Sequence, residues 1–142
     1  MLRICSLGIA VWLAWQTSAV AQGPKPVEPD RFSAGIVETV SKGALKEAAG
    51  SVADVVGQPT GAQNIQSALQ VFEGKKFDFA KKVVDKELAG ALRQIIYYSY
   101  VEKLGFAYFR FHYKMTSKGW ILAHFMFKDE TQGLLPQEFV ER

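Results

Sequence analysis

The stretch that sets the fold runs from Leu92 to Lys128 and reads LRQIIYYSYVEKLGFAYFRFHYKMTSKGWILAHFMFK. Apolar and polar side chains alternate along it with a period of about two, which is the spacing of a strand with two different faces. Loops at Gly105 and Gly119 interrupt the alternation. We therefore predict three antiparallel strands, over residues 92–102, 106–116 and 120–128, in a sheet of three strands or slightly more.

The two loops predict the register of the strands. Each is predicted to have three residues with glycine third, where a three-residue hairpin loop usually has a left-handed residue. The first loop then pairs Glu102 with Phe106, and the second pairs Thr116 with Trp120. A shift of one residue at either hairpin would mix the two faces of the sheet.

This register gives one apolar face and one mixed face. The apolar face is predicted to lie under helices, so the fold class is α+β, with N-terminal helices packed on one face of an antiparallel meander. The apolar face comprises Ile95, Tyr97, Val101, Phe109, Phe111, Tyr113, Met115, Ile121, Phe125 and Phe127. The side chains of the mixed face that are most able to bind or react are Tyr98, Tyr108, Arg110, His112, Trp120 and His124.

Several roles are open for the mixed face. It could be a sheet surface half open to water, where amphipathic side chains do no chemistry, or a site for a small ligand. A protein–protein interface is also favoured by residue type, because Tyr, Trp, Met and Arg are enriched in interface cores. The register places His112 opposite His124 and Tyr98 opposite Arg110. Since no third carboxylate or cysteine ligand falls on this face, we expect no metal and no cofactor.

The residues before the meander are predicted to be helical. A proline-rich linker over residues 22–31 precedes apolar residues that recur at spacings of three and four within residues 32–59, which is a helical pattern. Interior glycines cost about 1 kcal/mol each relative to alanine. We therefore expect this helix to be broken near Gly43 or Gly50.

Residues 60–142 are predicted to hold a helical hairpin followed by the meander, in one domain with the preceding helix. The first helix of the hairpin ends at Gly74, and Asp78 caps the second. The buried stripe of this second helix is predicted to be Ala80, Val83, Val84 and Leu88. The N-terminal helix is predicted to be capped by Asp30 or Ser33.

Residues 1–21 have the pattern of a cleaved export signal. A basic residue, a twelve-residue apolar run and small residues at positions 19 and 21 precede Gln22. The run is shorter than the roughly 20 residues that span a membrane, so we expect no stable membrane insertion after cleavage. The mature protein is predicted to be periplasmic or secreted and to lack cysteine, since Cys5 lies in the signal.

The charge of the chain is mild. It has 17 basic and 14 acidic residues, and its densest group of lysines, between positions 75 and 86, is interleaved with acidic residues. This pattern is typical of a solvated surface. We therefore expect no nucleic-acid partner.

A resemblance adds to these expectations. Helices that lead into an aromatic meander, with Lys118-Gly119-Trp120 at the last turn and Phe125-x-Phe127 after it, are similar to small exported bacterial proteins. Over residues 60–136 the architecture resembles the cystatin-like, nuclear-transport-factor-2-like group. The resemblance implies a cone-shaped cavity between helices and sheet, and dimers that often pack through the other face. The matching cavity positions are Tyr97, Ser99, Phe111, Tyr113 and Phe125.

Enzymes of that group place an Asp or His base inside the cavity, and none of the matching positions is Asp or His. We therefore expect an exported, non-catalytic binding or assembly module. Its candidate partners are a second copy bound through the mixed face, a small apolar ligand and an envelope protein. The alternative is an isomerase or dehydratase with an aromatic cavity.

Overall fold

A computed structural model describes residues 22–128; the predicted export signal lies outside the described residues. Three helices precede a four-stranded antiparallel sheet with strand order β1-β2-β3-β4, an α+β arrangement. Short 3-10 turns at Pro59–Gly61 and Gln70–Phe72 flank the third helix. The elements are α1 Pro29–Ser41, α2 Leu45–Val55, α3 Ala62–Leu69, β1 Phe77–Leu88, β2 Leu92–Val101, β3 Gly105–Thr116 and β4 Gly119–Lys128.

The segment before α1 is tied to both layers of the fold. The backbone N–H of Lys25 donates to the carbonyl of Val55 in α2, and that of Val27 donates to the carbonyl of Trp120 in β4, each at 2.8 Å. Part of the predicted linker over residues 22–31 therefore runs along β4. The last residues of the linker belong to α1, which begins at Pro29.

The start of α1 differs from the prediction. Glu28 caps it, because its carboxylate accepts hydrogen bonds from two N–H groups of the first turn, and Pro29 occupies the first helical position. Ser33 has another role: it is fully buried, and its hydroxyl lies 2.5 Å from the hydroxyl of Tyr113 in β3. The Tyr113 hydroxyl also donates to the carbonyl of Pro29 at 3.2 Å, so this side chain holds α1 on the sheet.

The predicted break in the N-terminal helix is confirmed at Gly43. The first helix ends at Ser41 and the second begins at Leu45. Gly43 has a φ of +77°, in the left-handed region that favours glycine. Both helices can therefore pack against the sheet from different directions.

The predicted third helix after Gly74 is wrong, because residues 77–88 form β1, an edge strand paired with β2. Apolar residues at 80, 83, 84 and 88 fit a helical stripe, but a short stripe cannot by itself distinguish helix from strand. Pairing with β2 satisfies backbone N–H and C=O groups of both strands. A helix at residues 77–88 would leave those groups unpaired along the edge of β2. Bulges at Asp78 and Val83 interrupt the pairing.

The loop between β2 and β3 lies one residue earlier than predicted. Val101 pairs with Gly105, and the loop residue Lys103 adopts the left-handed conformation at φ +63°. Every pair between these strands is therefore displaced by two positions from the predicted register. Because side chains alternate with a period of two, each residue keeps its predicted face and changes only its neighbour.

The β3–β4 hairpin departs further from the prediction. Thr116 pairs with Gly119 across a two-residue turn, and a bulge at Ala123 restores the predicted pairing from His124 onward. Between the turn and the bulge, each residue of β4 therefore lies on the face opposite to the predicted one. Trp120 and Leu122 point to the helices and Ile121 points away from them; the predicted placements of Trp120 and Ile121 are therefore wrong.

The sheet face under the helices, here called the inner face, is the core. Phe111 is fully buried at its centre, with its ring centroid 5.0 Å from that of Phe125 and 6.5 Å from that of Tyr97. From the helices, Val40, Val52 and further apolar residues complete the same cluster. Met115, predicted for this face, is 44% exposed near the last turn.

We expect Phe111→Ala to lower the free energy of unfolding by about 3–5 kcal/mol, the range for emptying a buried aromatic site. The matched control, Phe106→Ala, removes a ring that is 47% exposed on the opposite face and should cost under about 1 kcal/mol. Urea unfolding followed by circular dichroism measures both. A larger loss for Phe106→Ala would show that the faces are assigned the wrong way round.

Candidate functional site: the outer face of the sheet

The outer face is the side of the sheet turned away from the helices, and strand pairing arranges it in five rows. One end is aromatic, the centre is mixed, and the other end carries the histidines and several lysines. Read from β1 toward β4, the rows are Phe79-Tyr100-Phe106, Lys81-Tyr98-Tyr108-Lys128, Val84-Ile96-Arg110-Met126, Lys86-Gln94-His112-His124 and Leu88-Leu92-Lys114-Ile121.

The first two rows form a continuous patch of rings, here called the aromatic patch. Its members are Phe79, Tyr98, Tyr100, Phe106 and Tyr108. The ring of Tyr98 is central, with centroids 5.2 to 5.4 Å from three of the others, and Tyr100 contacts Phe106 at 5.2 Å. Phe79, Tyr100 and Phe106 remain 41%, 38% and 47% exposed. These rings are packed on one another and still open to a partner.

At its paired positions the outer face carries charged side chains of one sign. No Asp or Glu occupies a paired position of this face within the four strands described, whereas Lys81, Lys86, Arg110, Lys114 and Lys128 do. Side chains of one sign on one surface attract a partner of the other sign. The outer face is therefore basic although the whole chain is close to neutral.

The two acids at paired positions of β1, Asp85 and Glu87, lie on its inner side, whereas Asp78 lies in a bulge. Asp85 accepts two hydrogen bonds from the guanidinium of Arg93, both at 2.9 Å, and one from Lys82 at 3.0 Å. The bonds from Arg93 are the main reason that the pKa of Asp85 falls to about 2. Lys82 also donates to Asp30 of α1 at 2.7 Å, so these charges join the helix to the edge of the sheet.

His112 and His124 are opposite each other, as predicted, with ring centroids 6.1 Å apart. The neighbour of His112 on β2 is Gln94, whose amide nitrogen lies 2.7 Å from Nε2 of the ring. Burial lowers the pKa of His112, and the charges of Arg110 and His124 lower it further. Within residues 22–128, no three His, Cys, Asp or Glu side chains are grouped to hold a metal.

The register change gives the other predicted residues of this face new neighbours. Tyr98 lies opposite Tyr108, and Arg110 lies opposite Ile96. Trp120, predicted for the same site, packs against the core on the inner face. The bulge at Ala123 is the reason, since one extra residue in a strand reverses the faces before it.

The residues predicted to line a cavity are buried in the core or packed against it. The Ser99 hydroxyl donates to the carbonyl of Ala107 at 2.9 Å, and the ring of Phe111 contacts those of Tyr113 and Phe125. Burial raises the pKa of Tyr113, whose hydroxyl is held by α1. These residues contribute to the core, and the hydroxyls of Ser99 and Tyr113 are hydrogen-bonded within the fold.

The aromatic patch contains three rings absent from the predicted site residues, Phe79, Tyr100 and Phe106. Phe79 was missed because β1 was predicted as a helix. The alternation of Phe77, Asp78 and Phe79 is the signal that could have indicated a strand. Phe106 was missed because the predicted register placed it opposite Glu102, next to the loop.

A comparison of the chain with models of known protein families finds no match, and a search of curated proteins finds none either. Among the helices of residues 22–128, none has the length and apolar character needed to cross a membrane. The function is therefore inferred from the residues of the outer face.

The environment of His112 predicts a pH-dependent stability. Its pKa is lowered in the folded state, so the stability linked to the neutral ring is present above the unfolded pKa of about 6.5 and is lost as pH falls below it. Urea unfolding at pH 7.5 and 5.5 should therefore show a smaller loss for His112→Gln than for the wild type. His124→Gln removes only the smallest of the three contributions that lower the pKa of His112. This variant should therefore keep most of the wild-type loss of stability. Equal losses in the wild type and His112→Gln would contradict this account.

Proposed function

We propose that the protein is a non-catalytic binding module that recognises an acidic, apolar segment of another protein through the outer face. The observation that carries the proposal is the aromatic patch, with three rings 38–47% exposed, on a face whose charged groups at paired positions are all basic. The pattern of residues 1–21 supports a place of action outside the cytoplasm, in the periplasm or the medium.

The aromatic patch has the properties of a binding hot spot. Aromatic residues and arginine supply most of the energy in many protein interfaces, especially where the rings are held in place before binding. Tyr98 is packed by Phe79, Phe106 and Tyr108, so the patch loses little conformational freedom when it is covered. Its flanking lysines, Lys81 and Lys128, favour a partner that carries carboxylates.

Charge favours an acidic partner over a second copy. In a two-fold dimer each copy presents the same patch to the other, so a contact across the whole outer face would bring two basic surfaces together. Like charges brought together at an interface are strongly unfavourable. A self-contact limited to the aromatic patch avoids most of these cations, but it also buries less area.

The residues predicted to line a cavity also support a binding function over an enzymatic one. An enzyme of the isomerase or dehydratase type needs an ionisable group that reaches a cavity. The five predicted cavity residues include no Asp or His. The rings of Phe111 and Tyr113 among them are buried against their neighbours.

Binding to a random copolymer of glutamate and tyrosine tests the proposal, with polyglutamate as the comparison without rings. We expect the full chain to bind the copolymer more tightly than polyglutamate, and binding to weaken with added salt. Phe106→Ser should weaken copolymer binding about tenfold, the effect of losing 1.4 kcal/mol. Val71→Ser, an exposed apolar residue outside the sheet, is the matched control and should leave binding unchanged. Fluorescence anisotropy of the labelled polymers measures the affinity in all four comparisons.

Three results would overturn the proposal, the first two of which concern the copolymer and the oligomeric state. One is copolymer binding that is absent or is indifferent to Phe106→Ser. The other is a chain that sediments as a dimer and becomes a monomer on Phe106→Ser, which would make a second copy the partner. Binding to anionic vesicles or single-stranded DNA in place of the copolymer would likewise reject an acidic protein segment.

A further inference from the structure

At the centre of the outer face one apolar side chain is fully buried, although the ends of the face are open. Ile96 lies there between Val84 and Arg110 and is 0% exposed. The cluster beneath the helices includes its neighbour Ile95 and not Ile96, because the two side chains point to opposite faces. A side chain in the middle of a sheet face loses all contact with water when something lies over it.

The chain itself supplies a segment of suitable chemistry. Residues 129–142, which lie outside the described residues, read DETQGLLPQEFVER. They contain four acidic residues and one arginine, a net charge of −3, together with an apolar group. That group is Leu134, Leu135, Phe139 and Val140. Acidic and apolar residues together match a face that is basic and apolar.

The position of Lys128 allows the segment that follows it to reach the centre of the outer face. It follows Lys128, which lies on the outer face in the second row, opposite Tyr108. Ile96 is one row further along the sheet and two strands away, on the order of 10 Å across at about 4.8 Å between strands. Fourteen residues can extend to roughly 46 Å, so the segment reaches every row of the face.

We propose that residues 129–142 bind back across the centre of the outer face, with their carboxylates near its cations and their apolar side chains over Ile96. A covalent link gives such a segment an effective concentration in the millimolar range, so weak contacts suffice to hold it. The segment then competes with an acidic partner for the same cations. In that respect the inference rests on the proposed function, and the position of the segment can be tested without it.

A spin label on the segment tests its position. In the mature full chain, Gln137→Cys provides one thiol for a nitroxide, and the broadening of backbone amide signals reports which surface it approaches. We expect broadening at Ile96, Arg110 and Met126 and none in α2. The control label, Gln63→Cys on exposed α3, should broaden helical signals and spare the outer face. A Gln137 label that leaves the outer face unchanged would overturn the inference.

Neutralising the segment tests the role of charge. The variant with Asp129→Asn, Glu130→Gln, Glu138→Gln and Glu141→Gln should lose the outer-face broadening and bind the glutamate–tyrosine copolymer about tenfold more tightly. Glu47→Gln, at an exposed position of α2, is the control and should change neither the broadening nor the copolymer binding. Broadening that survives neutralisation and 1 M salt would contradict a charge-based contact.

The two proposals fail in different ways. Outer-face broadening without copolymer binding, in the wild type and in the neutralised variant, would keep the intramolecular contact and reject the proposed function. Copolymer binding through the aromatic patch without any broadening would keep the proposed function and reject the contact.

Discussion

The alternation of side chains along β2 and β3 is the constraint on which the other features of this structure depend. Ile95 and Phe111 must face the helices to build the core, so Ile96 and Arg110 must face away from them. Because the helices precede the sheet in the chain and cover its inner face, the same alternation that buries the core displays the aromatic patch and the cations. The core and the candidate site are thus two sides of one pattern, and a change of register by one residue would destroy both.

Much of this pattern could be predicted from sequence. The alternation located β2, β3 and β4, and the interior glycines indicated a break near Gly43 or Gly50. The histidine pair was predicted correctly, because the bulge at Ala123 compensates for the shorter turn. The loops could not be placed to the residue, because their position depends on Lys103 adopting a left-handed conformation that lysine rarely takes. The strand β1 could not be recognised locally, since its apolar spacing also fits a helix and its stability comes from pairing with β2.

The candidate site was predicted in part for the same reasons. Tyr98, Tyr108, Arg110 and the two histidines lie on the outer face because a register shift of two preserves faces. Trp120 was misplaced because the bulge at Ala123 has no signature in the alternation around it. The aromatic patch needs Phe79 from β1, so it became visible only once the fourth strand was known. Local pattern gives the faces of a strand that has no bulge, whereas neighbours across strands depend on loops and bulges.

The central claim is that the outer face, and no other surface, receives an acidic partner. Mapping amide chemical shifts of the full chain during titration with the glutamate–tyrosine copolymer tests it most directly. The account predicts shifts at the aromatic patch and its flanking lysines, in Phe79–Lys81, Tyr98–Tyr100 and Phe106–Arg110, with α1 and α2 unchanged. Shifts concentrated on the helices, or spread evenly over the chain, would contradict it.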